Sequence, residues 1–196
     1  MRSSCAVHGG LAVALVFMMG CVGGMPKVPA TPTAVLERAD DYLERGKERE
    51  AIALYAQFLE RYPGHERADY AQFNLAESYF KAEEYPLAAV EYQLLINNYG
   101  YSEWVDEALF QLGVCSWEEA PKYPRDQQKS TEALSRFNQF LLTYPDHARA
   151  ADARSYVRQI NQRLAQKAFT AAQWYYRQRE PQAALVYCDK IIREYP

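Results

Sequence analysis

The chain has few residues that break regular structure: nine Gly and ten Pro among 196. They fall between apolar-periodic segments rather than inside them. Disorder is excluded by the 49% hydrophobic content and the 16 Tyr. Lys/Arg runs are missing and the formal net charge is only -3, so a nucleic-acid backbone is not the partner this composition suits. Catalytic signatures are missing too. There is no G-x-S-x-G, no H-E-x-x-H, no paired C-x-x-C and no Gly-rich phosphate loop. The chain is therefore read as non-enzymatic, with no cofactor and no metal. His65 and His147 each follow a Tyr-Pro-x turn and lack ligand spacing. Acidic residues such as Asp40, Asp41, Glu83, Glu84, Glu118 and Glu119 read as solvated helix faces.

Cysteine is also scarce: Cys5, Cys21, Cys115 and Cys188. Cys115 and Cys188 occupy apolar-facing places in helical patterns and are expected to be small buried hydrophobes. Cys5 lies within the N-terminal segment and Cys21 at its end. The apolar run there, Leu11 to Met19, is too short to span a bilayer, which takes about 20 residues in a helix. It fits the apolar region of a secretory signal over residues 1–20. Gly20-Cys21 directly after it resembles the lipobox of bacterial lipoproteins, although Met18 and Met19 stand where that box has Leu and a small residue. The resemblance implies lipidation at Cys21, and Val22 after it favours the outer membrane. The alternative is an ordinary signal cleaved nearby, after Ala30. Residues 21–32 hold two Gly and three Pro and read as a flexible, lipid-anchored tether. A helical domain is expected over 33–196.

What the chain does have is self-similarity. It aligns on four endings: Tyr62-Pro63, Tyr99-Gly100, Tyr144-Pro145 and Tyr195-Pro196. At a fixed distance before them stand Ala51, Ala88, Ala133 and Ala184. Four residues later come Tyr55, Tyr92, Phe137 and Cys188, then Phe58, Leu95, Phe140 and Ile191. Steps of four, three and four keep these side chains on one stripe of a helix. Tyr42, Tyr79 and Tyr175, each three after an Ala, mark a preceding helix. Gly46 punctuates the turn, and Pro86 and Pro181 fit the first turn of a second helix. Each unit is a helix pair of about 34 residues, the tetratricopeptide period. The fold expected is an all-α solenoid of about four pairs. Two irregularities stand out. The third unit carries a polar insert, Ala120 to Asp126, and Ala148 to Arg179 reads as one overlong helix before the last pair.

These irregularities, the export signal ending at a Cys, and the stretches AIALYAQFLERYPGHERADYAQFNLAESYF and ADARSYVRQINQRLAQKAFTAAQWYYRQREPQAALVYCDKIIREYP together resemble the BamD family. Those are lipoproteins of the outer-membrane β-barrel assembly machinery. The resemblance covers about Ala34 to Pro196. It implies a scaffold on the periplasmic face of the outer membrane, held by a lipid anchor. Its implied partners are a BamA-like barrel protein, other assembly-complex lipoproteins and unfolded outer-membrane proteins, whose targeting strand ends in aromatics. The family has five repeats and this chain stops at the end of the fourth. Either the sequence is a fragment or a terminal repeat is absent.

In tetratricopeptide solenoids the first helix of each pair lines the concave face. Helical phase then directs Phe73, Asn74, Glu77, Phe80 and Lys81 toward the groove from unit two. Phe110, Gln111, Val114 and Trp117 take the same places in unit three. Leu75, Ala76, Tyr79, Leu109, Leu112 and Gly113 fill the buried phase. Aromatics on a second phase suit an extended peptide with aromatic side chains. The simpler alternative is that the rings pack between helices. The carboxylate clamp of chaperone-binding relatives is not present in its usual form. Only Asn74 matches it, with Leu36, Asp40, Glu107 and Gln111 at its other places. Two other readings remain. One is a periplasmic adaptor of Tol-type envelope machinery, which lacks the insert and the long helix. The other is the repeat module of a larger envelope enzyme.

Overall fold

The computed structural model describes residues 31–120 and 127–195. Within them lie eight helices: α1 (Pro32–Glu44), α2 (Glu48–Arg61), α3 (Ala68–Lys81), α4 (Tyr85–Asn98), α5 (Val105–Glu118), α6 (Gln128–Thr143), α7 (Ala150–Arg177) and α8 (Pro181–Glu194). Each packs mainly on the next in sequence. This is the expected all-α solenoid of four pairs, with the long helix, α7, before the last. The domain was expected from residue 33; its first helix starts at Pro32, with Thr31 Oγ1 accepting the Ala34 N–H at 3.3 Å. The signal over 1–20, Cys21 and residues 22–30 of the tether lie outside the described residues. So does the insert from Pro121 to Asp126.

The repeated stripe is the core. Ala51, Tyr55 and Phe58 of α2, Ala88, Tyr92 and Leu95 of α4, and Ala133, Phe137 and Phe140 of α6 are all fully buried. Burying one such ring is worth roughly 1.5–3 kcal/mol. The small alanine lets the preceding helix come close enough for the ring beside it to be covered on both faces. In unit three the approach is closer still. A Cβ on Gly113 would sit 2.8–3.0 Å from three atoms of the Phe137 ring. That ring cannot retreat, because Tyr156 stacks on it at 4.7 Å and 4°.

Cys115 and Cys188 were both expected to be buried, from their apolar-facing places in helical patterns. Cys115 is buried and Cys188 is exposed. The difference is one of neighbours. Phe169, Ala172, Tyr176, Ala184, Leu185 and Cys188 line an apolar cleft of about 350 Å³ on the outer side of α7 and α8. Each stands 96 positions after a residue of α3 or α4: Phe73, Ala76, Phe80, Ala88, Ala89 and Tyr92. On α3 and α4 that surface is covered by α5; on α7 and α8 no described helix covers it.

The turn inside each pair also repeats. Gly46, Glu83 and Arg179 stand five residues before the alanine and adopt φ of +64°, +62° and +63°. The next N–H, of Lys47, Glu84 or Glu180, donates to the carbonyl of Tyr42, Tyr79 or Tyr175 at 2.9, 2.9 and 3.0 Å. This closes the first helix with a left-handed residue after it. Only unit one places a glycine there. Pro86 and Pro181 then open α4 and α8, where a missing N–H leaves no bond unmade.

Glu83→Gly and Arg179→Gly are expected to stabilise the domain by about 0.5–1 kcal/mol each, since a left-handed L-residue carries strain that exceeds glycine's extra chain entropy. Gly113→Ala is expected to cost about 1–3 kcal/mol, because overpacking meets a ring that is fixed from behind. Denaturant unfolding monitored by helical circular dichroism measures all three, and a neutral Gly113→Ala would contradict the close approach.

Candidate functional site

The first helices of the pairs, α1, α3, α5 and α7, form one side of the solenoid. They are tied together by carboxylates that face the next pair. Asp40 of α1 accepts from the Tyr55 hydroxyl of α2 at 2.5 Å and from the Tyr70 hydroxyl of α3 at 3.0 Å. Thirty-seven residues on, Glu77 of α3 accepts from the Tyr92 hydroxyl of α4 and, at 3.3 Å, from Gln111 Nε2 of α5. Each carboxylate thus joins three helices, and Tyr55 and Tyr92 are the same residues whose rings fill the core. Burial first, and the adjacent carboxylate second, push the Tyr55 and Tyr70 hydroxyls above their usual pKa, Tyr70 to about 12. Tyr92 is raised in the same way, by burial and then by Glu77.

Unit three breaks this pattern. Val114 stands where Glu77 would, and Phe137 where Tyr92 would. The turn leading into α7 instead supplies the polar contacts. His147 Nε2 lies 3.2 Å from Asp106 Oδ2, and Arg149 Nε lies 3.4 Å from Glu107 Oε1. His147 Nδ1 accepts the Arg149 N–H at 3.1 Å, which fixes the proton on Nε2. His65 accepts the Arg67 N–H at the same distance, and Ser102 Oγ accepts from Trp104 at the equivalent turn. The two histidines are turn caps that rest edge-on against Phe58 and Phe140.

Between α5 and α7 lies an open pocket of about 500 Å³. Phe110 is its floor, Trp117 and Tyr156 are its walls, and Arg149, Asp152, Ser155 and Gln159 line its rim. The geometry follows from heptad spacing. Phe110 and Trp117 are seven apart on α5; Arg149, Tyr156 and Arg163 are seven apart at α7. Each step of seven is about 10.5 Å along a helix and returns to nearly the same face. The Arg149 guanidinium lies 4.3 Å from the Phe110 ring centre, and that of Arg163 lies 3.8 Å from the Trp117 ring centre. Tyr156 sits between them, edge-on to Trp117 at 6.0 Å.

The residues expected in the groove divide. Phe110 and Trp117 meet at this pocket, although Phe110 shows only 1% of its surface. Phe73 is 7% exposed and stacks on Trp104 at 4.7 Å, so its ring is taken up by packing between α3 and α5. Phe80 is half-buried against Tyr85. Asn74 donates to the Tyr70 carbonyl at 3.0 Å. Glu77 and Gln111 are engaged with each other, Val114 is buried, and Lys81 is exposed at the end of α3. The α7 contribution, Arg149, Tyr156 and Arg163, was missed by the sequence reading, although its repeat of seven was there to be seen.

Comparison with known proteins gives a consistent result. Residues 29–196 match the profile of the family YfiO, described as an outer membrane lipoprotein. Two curated relatives are both called outer membrane protein assembly factor BamD. The one from Caulobacter vibrioides is 23% identical over 94% of this chain, and the one from Vibrio cholerae serotype O1 is 24% identical over 97%. The chain spans 64% of the length of the first and 83% of the second. Among solved structures, the first tetratricopeptide domain of RPAP3 bound to an HSP90 peptide superposes with a TM-score of 0.52. It is 23% identical and covers 68% of this chain and 93% of its own. The free domain of the human protein gives 0.51, at 23% identity over 69% and 94%. These two support the fold alone.

The tyrosine–carboxylate ties predict alkaline lability. Because the folded state raises these hydroxyl pKa values above the ordinary 10.0, their contribution is complete below pH 10 and is lost as pH rises beyond it. Denaturant midpoints should fall above pH 10, and fall less in a Tyr55→Phe/Tyr92→Phe variant. Tyrosinate absorbance from all tyrosines at pH 10 in a still-folded chain would contradict the burial.

Proposed function

Since the chain belongs to the YfiO family of outer membrane lipoproteins, we propose that it is a scaffold lipoprotein of outer-membrane β-barrel protein assembly. Cys21 carries the lipid, the residues between it and the Thr31 cap of α1 are the tether, and the solenoid stands on the periplasmic face. The names of the two curated relatives support the assembly role. No described helix is long and apolar enough to cross a membrane, which is compatible with attachment through a lipid.

The partners are a BamA-like barrel protein, other assembly lipoproteins and unfolded outer-membrane proteins. A solenoid is suited to this work because its binding surface is assembled from successive repeats that keep a fixed spacing, so an extended segment is met by matching side chains along its length. The observation that carries the substrate reading is the aromatic-floored pocket between α5 and α7. An aromatic side chain entering it meets the half-buried rings of Trp117 and Tyr156, in contacts worth about 0.5–1.5 kcal/mol per ring pair beyond area burial. Asn74, Glu77, Phe80, Lys81 and Gln111 extend this surface toward α3, with Phe73 behind them.

The test is to isolate membranes containing the tagged chain and ask what is recovered with it. A barrel protein with periplasmic domains should co-isolate, and Cys21→Ala should move the chain to the soluble fraction. Recovery without any barrel protein would overturn the assembly role, and unchanged anchoring of Cys21→Ala would overturn lipidation at Cys21.

A further inference from the structure

The second helices of the pairs are not alike on their outer faces. On α4, Ala88, Tyr92 and Leu95 are fully buried in the core. A second row faces outward: Leu87, Val90 and Leu94 are 46%, 53% and 38% exposed, and Asn97 and Tyr101 beyond them are exposed too. The steps are three, four, three and four. That is the a/d spacing of a coiled-coil seam, not the scatter of single apolar residues that any surface carries.

The other pairs place polar groups here. Thirty-seven residues earlier, on α2, stand Glu50, Ala53, Gln57 and Glu60. On α6 the row begins Glu132, Ser135 and Gln139, and on α8 it ends in Lys190 and Arg193. The repeat therefore does not need an apolar outer row in order to fold. Charge is missing from the α4 row as well. Glu91 is the one charged residue in this helix; it is half-buried and accepts from Gln72 Nε2 at 2.6 Å. Within the row, Asn97 Oδ1 accepts from Gln93 Nε2 at 3.0 Å.

This neutrality narrows what can cover the row. A helix face that enters an anionic lipid surface carries Lys or Arg beside its apolar residues, and α4 has neither. An extended segment adds to unpaired backbone groups, and those of a helix interior are already paired. A helix with the same spacing meets the row knob for hole. Flanking charges normally steer such a seam to a partner of opposite sign and keep it from its own copy. Here the flanks give no such steering, and a second copy brings a seam of the same spacing with nothing to repel it.

We propose that the outer row of α4 is a self-association surface, where two copies of the chain pair α4 against α4, antiparallel, about a two-fold axis. The axis passes between Val90 and Leu94. Val90 then packs on the partner's Leu94, and Leu87 packs beside the partner's Asn97. Antiparallel pairing also opposes the two helix dipoles. Two heptads bury less than the roughly 1,200–2,000 Å² of a stable interface, so the pair is weak in dilute solution. It gains from chains held close together, as two chains on one membrane are. That gain rests on the lipid anchor proposed above; the pairing itself does not.

Two measurements on the full mature chain test this. In detergent solution, sedimentation equilibrium should show the mass rising from one chain toward two as concentration is raised from about 1 to about 300 µM. Leu94→Glu should remain at one chain throughout, with circular dichroism confirming its fold. In membranes, two copies are expressed together in a Cys188→Ser background, a tagged one with Val90→Cys and an untagged one with Leu94→Cys. Oxidation should join them into a product of two chains. Ala53→Cys with Gln57→Cys, at the matching places on α2, should yield far less of it. Cross-linking in membranes supports the pair even if detergent solution shows one chain. A single-chain mass with no cross-linking above the α2 control overturns self-association. A two-chain mass that persists in Leu94→Glu overturns its placement on α4. A cross-linked product of some other mass overturns it equally, since a different protein then covers the row.

Discussion

The first three helix pairs depend on one contact: a residue with almost no side chain set against a ring. Ala51, Ala88 and Ala133 let neighbouring helices approach, and Tyr55, Tyr92 and Phe137 fill the space that the approach creates. Gly113 carries this to its limit, since even a methyl group would enter the Phe137 ring. The helix ends follow from the same requirement. A pair can close on its alanine only if the chain reverses sharply just before it, and that reversal draws Glu83 and Arg179 into the left-handed conformation that Gly46 adopts without strain.

The core ring also decides the chemistry of the face opposite. Where it is a tyrosine, its hydroxyl reaches through to the concave side and occupies a carboxylate, Asp40 or Glu77. That end of the groove is polar, neutralised and cross-tied. Where it is Phe137, there is no hydroxyl to satisfy, the matching carboxylate is replaced by Val114, and the face opens into an aromatic pocket. The candidate pocket lies at the pair whose core ring is Phe137.

This explains what could be read in the sequence. The pairs, their order and the long helix were legible, because the small residue, the ring and the turn recur at fixed spacing and each has a local cause. Groove placement was legible only in part. Helical phase assigns Phe73 and Phe110 to the same direction, yet both become core: Phe73 meets Trp104, which belongs to the turn before α5, and Phe110 packs on Phe137, Phe140 and Tyr156. Phase describes one helix and says nothing of what the next turn brings. The exposure of Cys188 has the same origin: its place in the stripe is right, and burial depends on a neighbour rather than on its own position. Arg163 was hidden for another reason. A cation on a helix reads as solvated until the ring beneath it is known.

Helix α7 has 28 residues, twice the length of most of its neighbours, and at 1.5 Å per residue is about 42 Å long. Its first half closes the pocket against α5 and α6, and its second half carries α8. Elsewhere a loop separates one pair from the next, and small rotations can be absorbed there. Here an unbroken ladder of backbone hydrogen bonds runs from one site to the other, so a torque applied at α8 arrives at Tyr156 and Arg149 undiminished by any hinge. The molecule is segmented along most of its length and a rigid beam at this one joint.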